Sequence, residues 1–250
     1  MDPRVQAPAP GLSGLTERNS GPVIVVTGGN RGIGFEICRQ LAARGARVVL
    51  TARKPAAGAT AVKKLAAQKL TVEFHPLDVT DGKGIAALGD FLKDRYGRLD
   101  VLINNAGIIA KGDAPGLKVD LTAIRATLET NALGPLHLAQ MLVPLLKRSK
   151  SARIVNMSSG MGALSENDGG YAAYRISKTA LNAVTAILAA ELRGTVAVNS
   201  VCPGWVKSDM GGPNADRDVA QGADSAMWLA LDAPQKLSGN FVRDRKAIPW

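Results

Sequence analysis

Short runs of consecutive apolar residues, rich in valine and isoleucine, alternate along the chain with longer segments of helical periodicity. The runs that predict strands are VIVVTG at 23–28, RVVLTA at 47–52, TVEFH at 71–75, DVLINN at 100–105, RIVNMSS at 153–159, TVAVNSV at 195–201 and a short one near 239–242. The helical patterns start near Gly32, Ala59, Asp81, Leu121 and Tyr171, and a weaker one starts near Asp216. Continuous apolar runs are typical of parallel strands covered on both faces.

This alternation predicts a single α/β domain of the Rossmann-like, doubly wound class, with a mostly parallel seven-stranded sheet and helices on both faces. Right-handed crossovers between parallel strands place helices on both sides and gather the loops at the carboxyl ends of the strands. A chain of 250 residues suits one large domain of this kind. We assign residues 21–250 to it. Residues 1–20 lack a sustained apolar period and are expected to form a disordered tail.

Composition and charge exclude several classes of protein. The chain has no run of about eighteen apolar residues and no apolar signal-peptide core, so a cytoplasmic protein without membrane association is expected. The formal net charge is +10, but Lys and Arg are scattered and aromatic residues are only 4% of the chain, which argues against nucleic-acid binding. Cys38 and Cys202 lie far apart, which predicts free thiols in a reducing compartment. Neither His75 nor His137 has a second ligand at metal-binding spacing, so no metal site is predicted.

The loop TGGNRGIG, from Thr27 to Gly34, follows the first predicted strand and opens the first predicted helix. Its glycines allow the backbone to approach a pyrophosphate closely, and the start of the helix offers free N–H groups and a positive dipole end. The spacing differs from the G-x-G-x-x-G fingerprint, so the loop alone leaves open a glycine-rich turn without a ligand. Its position at the carboxyl end of a strand favours an anion site.

The segment YAAYRISK, at 171–178, places two tyrosines and a lysine along one stripe of a helix. Tyr174 lies roughly 6 Å from Lys178 along the helix axis and Tyr171 roughly 10 Å from it, beyond easy contact. Tyr174 is therefore the better partner for the lysine. Such a pair is also common on ordinary amphipathic helices, so the spacing alone does not establish chemistry.

Further stretches stand in a fixed order along the chain. They are DVLINNAG, TNALG with Asn131, RIVNMSSG with Ser159, YRISK, and VCPGWVKSDM. Together with the glycine loop, this set resembles the short-chain dehydrogenase/reductase (SDR) family from about residue 22 to the C-terminus. PGWVKSDM and the ending GNFVRDRKAIPW resemble its NADPH-dependent carbonyl reductase branch, although the long insertion expected there before the catalytic tyrosine is missing.

The resemblance implies an enzyme that reduces the carbonyl group of a ketone, aldehyde or quinone to an alcohol. No side chain donates hydride, so a nicotinamide cofactor must carry it. Tyr174 is then the general acid, and the ammonium of Lys178 is expected to bring the pKa of the phenol closer to neutral. Ser159, favoured over Ser158 by the family pattern, would hydrogen-bond the substrate oxygen. Lys178 is also expected to bind the nicotinamide ribose.

Asn131 is a candidate functional residue on separate grounds, because a proline follows it inside a helical pattern. Pro135 has no N–H to donate to the carbonyl four residues back, which belongs to Asn131. A water on that carbonyl that also meets Lys178 would begin a proton relay, the role that the resemblance implies. A plain helix kink is the alternative.

The end of the second strand indicates which nicotinamide cofactor binds. An acidic residue there would bind a ribose 2′-hydroxyl and repel a 2′-phosphate, but this chain has Ala52 and then Arg53. Arg31 in the glycine loop would lie beside the same phosphate, and two arginines suit a dianion. Both could instead be solvated surface arginines. The sequence thus favours NADP over NAD.

The resemblance places cofactor and substrate sites together in the one domain. The residues expected to contact the cofactor are Gly28, Asn30, Arg31, Gly32, Ile33, Gly34, Arg53, Asp78, Val79, Asn105, Ala106, Gly107, Tyr174, Lys178, Pro203, Gly204, Val206 and Ser208. The residues expected to line the substrate pocket are Met161, Leu164, Trp205 and Met210, which suggest a small apolar carbonyl substrate.

Three alternatives stay open at this level. The first is a 3-oxoacyl-carrier reductase or a steroid or alcohol dehydrogenase of the same family. The second is a non-catalytic NADP-binding sensor, against which the intact set of Asn131, Ser159, Tyr174 and Lys178 speaks. The third concerns assembly, since the missing insertion leaves two helix faces free to form a homodimer or homotetramer.

Overall fold

The computed structural model describes residues 21–250 as alternating strands and helices, and the predicted tail at 1–20 lies outside the described residues. The strands are β1 Val23–Val26, β2 Arg47–Ala52, β3 Glu73–Pro76, β4 Val101–Asn104, β5 Ala152–Met157, β6 Val196–Val201, β7 Phe241–Arg243 and β8 Lys246–Ile248. The helices are α1 Gly32–Ala43, α2 Pro55–Ala66, α3 Gly82–Tyr96, α4 Leu121–Leu128, α5 Gly134–Leu146, α6 Ala172–Glu191 and α7 Val219–Leu231.

The strands form one sheet in the order β3-β2-β1-β4-β5-β6-β7-β8. All neighbouring pairs are parallel except β7 with β8. The Rossmann-like doubly wound fold is therefore confirmed. The order of the strands changes direction between β1 and β4: β2 and β3 lie on the side of β1, and the later strands lie on the side of β4. The loops after β1 and β4 therefore diverge and leave a crevice at the carboxyl edge of the sheet, where such folds bind ligands.

The sheet has eight strands where the sequence pattern predicts seven. The additional strand is β8, which pairs with β7 through a hairpin that places Arg243 opposite Lys246. Its two turn residues, Asp244 and Arg245, have φ values of +52° and +61°. Aspartate tolerates a positive φ, but the glycine that usually follows it in such a turn is replaced here by Arg245, so the turn signal in the sequence is weak.

Both faces of the sheet are covered, as the continuous apolar runs predict. Along β1, Ile24 and Val26 face the layer formed by α1, α2 and α7. Val23 and Val25 face the layer formed by α3, α5 and α6. This alternation follows from the two-residue period of a strand, and with helices on both sides every position becomes apolar.

One structural irregularity lies between α4 and α5. The two helices are joined without a break by a π turn at Glu129–Leu133, in which the N–H of Gly134 donates to the carbonyl of Glu129 five residues back. At this point, where a plain helix kink was the alternative, the structure has a widened helical turn. It places Asn131, which is fully buried, beside the loop that follows β4.

Two features of other protein classes are absent from residues 21–250. None of the helices described there has the length and apolar character needed to cross a membrane. The same part of the chain contains no cluster of three or more His, Cys, Asp or Glu side chains suited to a metal ion.

Candidate active site

A cleft of about 630 Å³ opens at the carboxyl edge of the sheet. Ser159, Tyr174 and Lys178 line it, as does every residue expected to contact the cofactor. Of the four residues expected at the substrate, Met161, Trp205 and Met210 also line it. Residues predicted from stretches far apart in the chain are therefore brought to one cavity.

Leu164 is the exception among the predicted substrate residues. It is absent from the wall of the cleft and lies in the short 3₁₀ turn Leu164–Glu166 with its side chain 69% exposed. Leu164 is therefore not among the residues that the structure brings to the cleft. Tyr171, which lies too far from Lys178 along the helix to be its expected partner, does line the cleft.

The glycine loop is held against the loop that follows β4. The hydroxyl of Thr27 accepts hydrogen bonds from the backbone N–H groups of Asn105 and Ala106, each at 3.0 Å. The amide of Asn105 donates to the carbonyls of Thr27 and Gly28. A Cβ at Gly34 would meet this amide and would lie 2.5 Å from the carbonyl oxygen of Gly28, so only glycine permits the close approach.

These features fit a dinucleotide at the start of α1. The N-cap residue, Arg31, makes no side-chain capping bond, and the first turn carries no acidic residue. The first turn of α1 thus places no carboxylate beside its free N–H groups, which is the arrangement that binds phosphate at a helix N-terminus. Asp78 and Val79 line the same cleft, where they would meet the adenine.

The end of the cleft beside β2 carries two arginines and no acidic residue at the position that would bind a ribose 2′-hydroxyl. Arg53 directly follows the last residue of β2 and is exposed. Arg31 forms an ion pair at 2.5 Å with Asp209, which lies in the loop after β6, and both side chains are about 70% exposed. An exposed ion pair of this kind holds little free energy, so Arg31 remains available to an anionic ligand.

Tyr174 lies in the first turn of α6 and its side chain is buried. Burial raises the pKa of the phenol to about 12, and the nearby hydroxyl of Ser159 acts in the opposite direction. Burial thus outweighs the lowering of this pKa that is expected from Lys178. The ammonium lies 5.5 Å from the centre of the tyrosine ring, over its face.

Ser158 and Ser159 both line the cleft but differ in their hydrogen bonds. The hydroxyl of Ser158 is buried and donates to the carbonyl of Lys178 at 3.4 Å. The hydroxyl of Ser159 accepts from the N–H of Met161 at 3.2 Å, which leaves its own proton free to be donated. This difference favours Ser159 as the donor to a substrate oxygen.

Lys178 is one turn deeper in α6, with only 4% of its surface exposed. Its ammonium donates to the carbonyl of Met157 at 2.7 Å, which leaves two further donor positions. Burial lowers the pKa of Lys178 to about 8. Of the Tyr174–Lys178 pair, the lysine is thus the group that titrates closer to neutral pH.

Asn131 does not line the cleft but lies directly behind it. Its side-chain amide is committed to protein partners: it accepts from the N–H of Ile108 and donates to the carbonyl of Ile108 and the hydroxyl of Ser177. The main-chain carbonyl of Asn131, to which Pro135 has no N–H to donate, is thus the better acceptor for a water. A Cβ at Gly107 would lie 3.4 Å from Asn131 Oδ1 and 3.5 Å from Lys178 Nζ, which places that glycine between the two.

Several lining residues were not predicted. Ile108 and Ile109 follow directly after NNAG, and their position in the motif was an available signal for the cleft wall. Asp209 and Gly211 lie in the loop after β6, and Leu77 lies just after β3. Asp209 lies inside the quoted stretch VCPGWVKSDM and Gly211 directly follows it, so their position was an available signal, whereas Leu77 belongs to no motif.

A dinucleotide cradle and a Ser–Tyr–Lys set on a doubly wound sheet define a nicotinamide-dependent oxidoreductase. A family model described as short chain dehydrogenase matches residues 22–218, and the chain belongs to that family. It is 36% identical to carbonyl reductase 1 (NADPH) of Mus musculus, over 93% of this chain and 99% of that protein. It is 35% identical to (+)-neomenthol dehydrogenase of Arabidopsis thaliana, over 90% of this chain and 96% of that protein. Among solved structures, NADPH-bound carbonyl reductase from chicken fatty liver matches with a TM-score of 0.84 and 31% identity, covering 92% and 99% of the two chains.

Proposed function

We propose that this chain reduces the carbonyl group of a ketone, aldehyde or quinone to an alcohol, with NADPH as the reductant. The observation that carries the proposal is the meeting of Ser159, Tyr174 and Lys178 in one cleft with the glycine cradle of α1. The relatives named as NADPH carbonyl reductases support the same reaction and the same cofactor.

The chain's own residues supply positioning and the proton. Bound NADPH supplies the hydride. Ser159 donates a hydrogen bond to the substrate oxygen and stabilises the negative charge that develops there. The phenol of Tyr174 gives that oxygen its proton, and its high pKa keeps it protonated at neutral pH. Lys178 holds the nicotinamide ribose through its two remaining donors, and its positive charge favours the phenolate left after proton transfer.

Return of a proton to Tyr174 needs a path from solvent. We infer that it runs through a water held between Lys178 and the main-chain carbonyl of Asn131. Pro135 cannot donate to this carbonyl, and the asparagine side chain is already occupied by Ile108 and Ser177. The widened turn at Glu129–Leu133 supports this role, since π turns often occur at functional sites.

The wall of the cleft beside the reacting groups favours an apolar substrate. Tyr171, Trp205 and Met210 line it and are each about half exposed. Arg175, which follows Tyr174 in α6, pairs with Asp168, and Arg217, which precedes α7, pairs with Asp244. The charges of these two arginines are therefore partly neutralised, which favours a neutral ketone, aldehyde or quinone over an acidic carrier substrate.

Mixing the purified protein with NADPH and a panel of ketones, aldehydes and quinones tests the reaction through the absorbance of the reduced cofactor. Oxidation with apolar members of the panel is the expected result. Tight NADPH binding without oxidation of any of them would favour the sensor alternative. Turnover only in the direction of alcohol oxidation would favour the dehydrogenase alternative.

Arg53→Asp is expected to reverse the preference between NADPH and NADH. The substitution removes a charge-assisted hydrogen bond to the 2′-phosphate and adds repulsion, so NADPH should bind roughly ten- to hundredfold more weakly. NADH, which carries a hydroxyl there, should bind no worse. Fluorescence titration of both cofactors measures the ratio, with Lys64→Asp on the exposed side of α2 as a matched charge change. An unchanged ratio in Arg53→Asp would remove the basis for NADP selection by this residue.

We also propose that the chain assembles as a homodimer or homotetramer through α5 and α6. Ile176 and Ile187 are 44% and 55% exposed and, eleven residues apart, lie on one face of α6. Leu133 and Met141 are similarly exposed on the neighbouring helical segment. Ile187→Glu is expected to give monomers in sedimentation velocity, whereas Lys64→Glu should leave the assembly unchanged. A monomeric unaltered protein at micromolar concentration would contradict the proposal.

The remaining assignments concern the domain, the compartment and the partners. We propose that residues 21–250 form one domain holding both sites, which is consistent with the single continuous sheet. A reducing, cytoplasmic setting is supported by Cys38 and Cys202, which are both free and buried. The scattered basic residues support a small-molecule substrate rather than nucleic acid or a membrane as the partner.

A further inference from the structure

The helix that carries Tyr174 and Lys178 begins without a cap of its own. Its N-cap residue is Tyr171, whose side chain makes no capping bond. Tyr171 has φ +43° and ψ +49°, a left-handed conformation that is unusual for an aromatic residue. The first N–H groups of a helix need partners from outside the helix, so α6 depends on another segment.

That segment is the loop after β4, about sixty residues earlier in the chain. The two carboxylate oxygens of Asp113 accept from the N–H groups of Ala173 and Tyr174, at 2.9 and 3.0 Å. The carbonyl of the next residue, Ala114, accepts from the N–H of Ala172 at 3.0 Å. All three N–H groups of the opening turn are thus held by two consecutive residues, and Asp113 takes the place of an N-cap side chain.

The position of Tyr174 makes this contact relevant to chemistry. Tyr174 is the third residue of α6, in the turn where helices fray, and Asp113 binds its own backbone N–H. Lys178 lies one turn deeper and has a separate anchor at the carbonyl of Met157. Loss of the Asp113 contact would therefore loosen the phenol more than the ammonium.

The loop that carries Asp113 is itself fixed at its other end. Ile108 exchanges two hydrogen bonds with the side chain of Asn131, at 2.8 and 2.9 Å. Gly112, with φ +91°, closes a turn in which the N–H of Asp113 donates to the carbonyl of Ala110. A position with this φ is one that glycine adopts readily. The loop thus runs from a fixed point beside the proton relay to the backbone of the general acid.

We propose that Asp113 is a positioning residue for the reduction, which holds the phenol of Tyr174 in line with the substrate oxygen through the backbone of α6. The inference rests on the proposed function, in which Tyr174 gives the proton. Asp113 acts through Tyr174 and does not itself touch the substrate. It also ties the wall of the cleft at Ile108 and Ile109 to the helix that carries the chemistry.

The test compares Asp113→Ala and Asp113→Asn with Asp120→Ala. Asp120 is a matched control, because its carboxylate caps α4 by accepting from the N–H of Thr122 at 2.8 Å, on a helix that carries neither Tyr174 nor Lys178. The measurements are kcat and KM per cofactor-binding site, the melting temperature, and the isotope effect on kcat with NADPH deuterated at the transferred hydrogen. Counting sites by NADPH titration removes any loss caused by unfolded protein.

Asp113→Ala is expected to lower kcat by roughly ten- to hundredfold, the scale of a small misplacement of a reacting group. The KM for NADPH should change less than about threefold, since Lys178 keeps its anchor, and the isotope effect should be at least as large as in the unaltered protein. Asp113→Asn keeps one acceptor oxygen and should recover part of kcat. Asp120→Ala should lower the melting temperature by a few degrees, as Asp113→Ala does, with kcat nearly unchanged.

Three results would overturn the proposal. They are an unaltered kcat in Asp113→Ala, an equal loss of kcat in Asp120→Ala, and a fall of the isotope effect towards one, which would place the loss in a step other than hydride transfer. If Asp113→Ala does not fold, a reduced kcat with an undiminished isotope effect in Asp113→Asn supports the same conclusion, and an unchanged kcat contradicts it. Failure of the unaltered protein to oxidise NADPH would instead refute the proposed function.

Discussion

Tyr174→Phe is expected to lower turnover by roughly 10²- to 10⁴-fold, the usual contribution of a general acid. The substitution removes only the hydroxyl from a buried ring, so the packing of α6 around it should persist. NADPH should bind with nearly the same affinity, because the cradle of α1 and the ammonium of Lys178 are untouched. Steady-state rates with a reactive ketone and a fluorescence titration of NADPH measure the two quantities separately.

The other tyrosine of YAAYRISK provides the control. Tyr171 lines the same cleft but is 55% exposed, and its side chain caps nothing. Tyr171→Phe should retain turnover within a few-fold of the unaltered protein. If Tyr174→Phe keeps its activity, proton donation by this phenol is wrong. A comparable loss in both variants would indicate that the tyrosines shape the pocket rather than supply a proton.

The architecture of the sheet could be predicted from the sequence because periodicity reports burial directly. Strands such as β1 are apolar at every position, since helices cover both faces, and this pattern implies parallel order and a ligand site at the carboxyl edge. The β7–β8 hairpin could not be predicted in the same way. It turns at Asp244 and Arg245, which carry no glycine signal, and each of its strands has only three residues.

The candidate site was predicted where its chemistry depends on neighbours in sequence, as with the four-residue spacing of Tyr174 and Lys178. Prediction failed where long-range folding decides the environment. Burial controls the pKa of Tyr174, and a sequence does not show how deeply a helix end is buried. Asp113 meets α6 across about sixty residues and belongs to no motif. Leu164 was placed at the substrate by the resemblance, but it lies in a local turn that exposes it.

The pKa values of Tyr174 and Lys178 give the lysine a larger part in the pH dependence of the reaction than its four-residue spacing from the tyrosine alone suggested. With the phenol at about 12 and the ammonium at about 8, Tyr174 stays protonated over the range in which Lys178 loses its charge. The phenol of Tyr174 therefore carries its proton throughout this pH range. What varies near neutral pH is the cation that holds the ribose and stabilises the phenolate formed in the reaction.

The kcat/KM for NADPH is therefore expected to fall as the pH rises through about 8. This parameter reports ionisations of the free enzyme. Burial disfavours the ammonium, so below this pH Lys178 is charged and donates to the ribose, and above it the amine is neutral and the interaction weakens. Lys178→Met should lower kcat/KM at every pH and abolish this decline. Rates measured from about pH 6 to about pH 10 give both profiles.

Lys178→Arg separates charge from geometry. A guanidinium stays charged throughout this range, so the decline near pH 8 should disappear even though the rate is lower. The rate is lower because a planar fork cannot reproduce the contact that places the ammonium 2.7 Å from the carbonyl of Met157. An unchanged decline in Lys178→Arg would assign it to another group. If the decline moves in Tyr174→Phe but not in Lys178→Arg, then the phenol titrates near neutral pH, and the order of the two pKa values derived from burial is wrong.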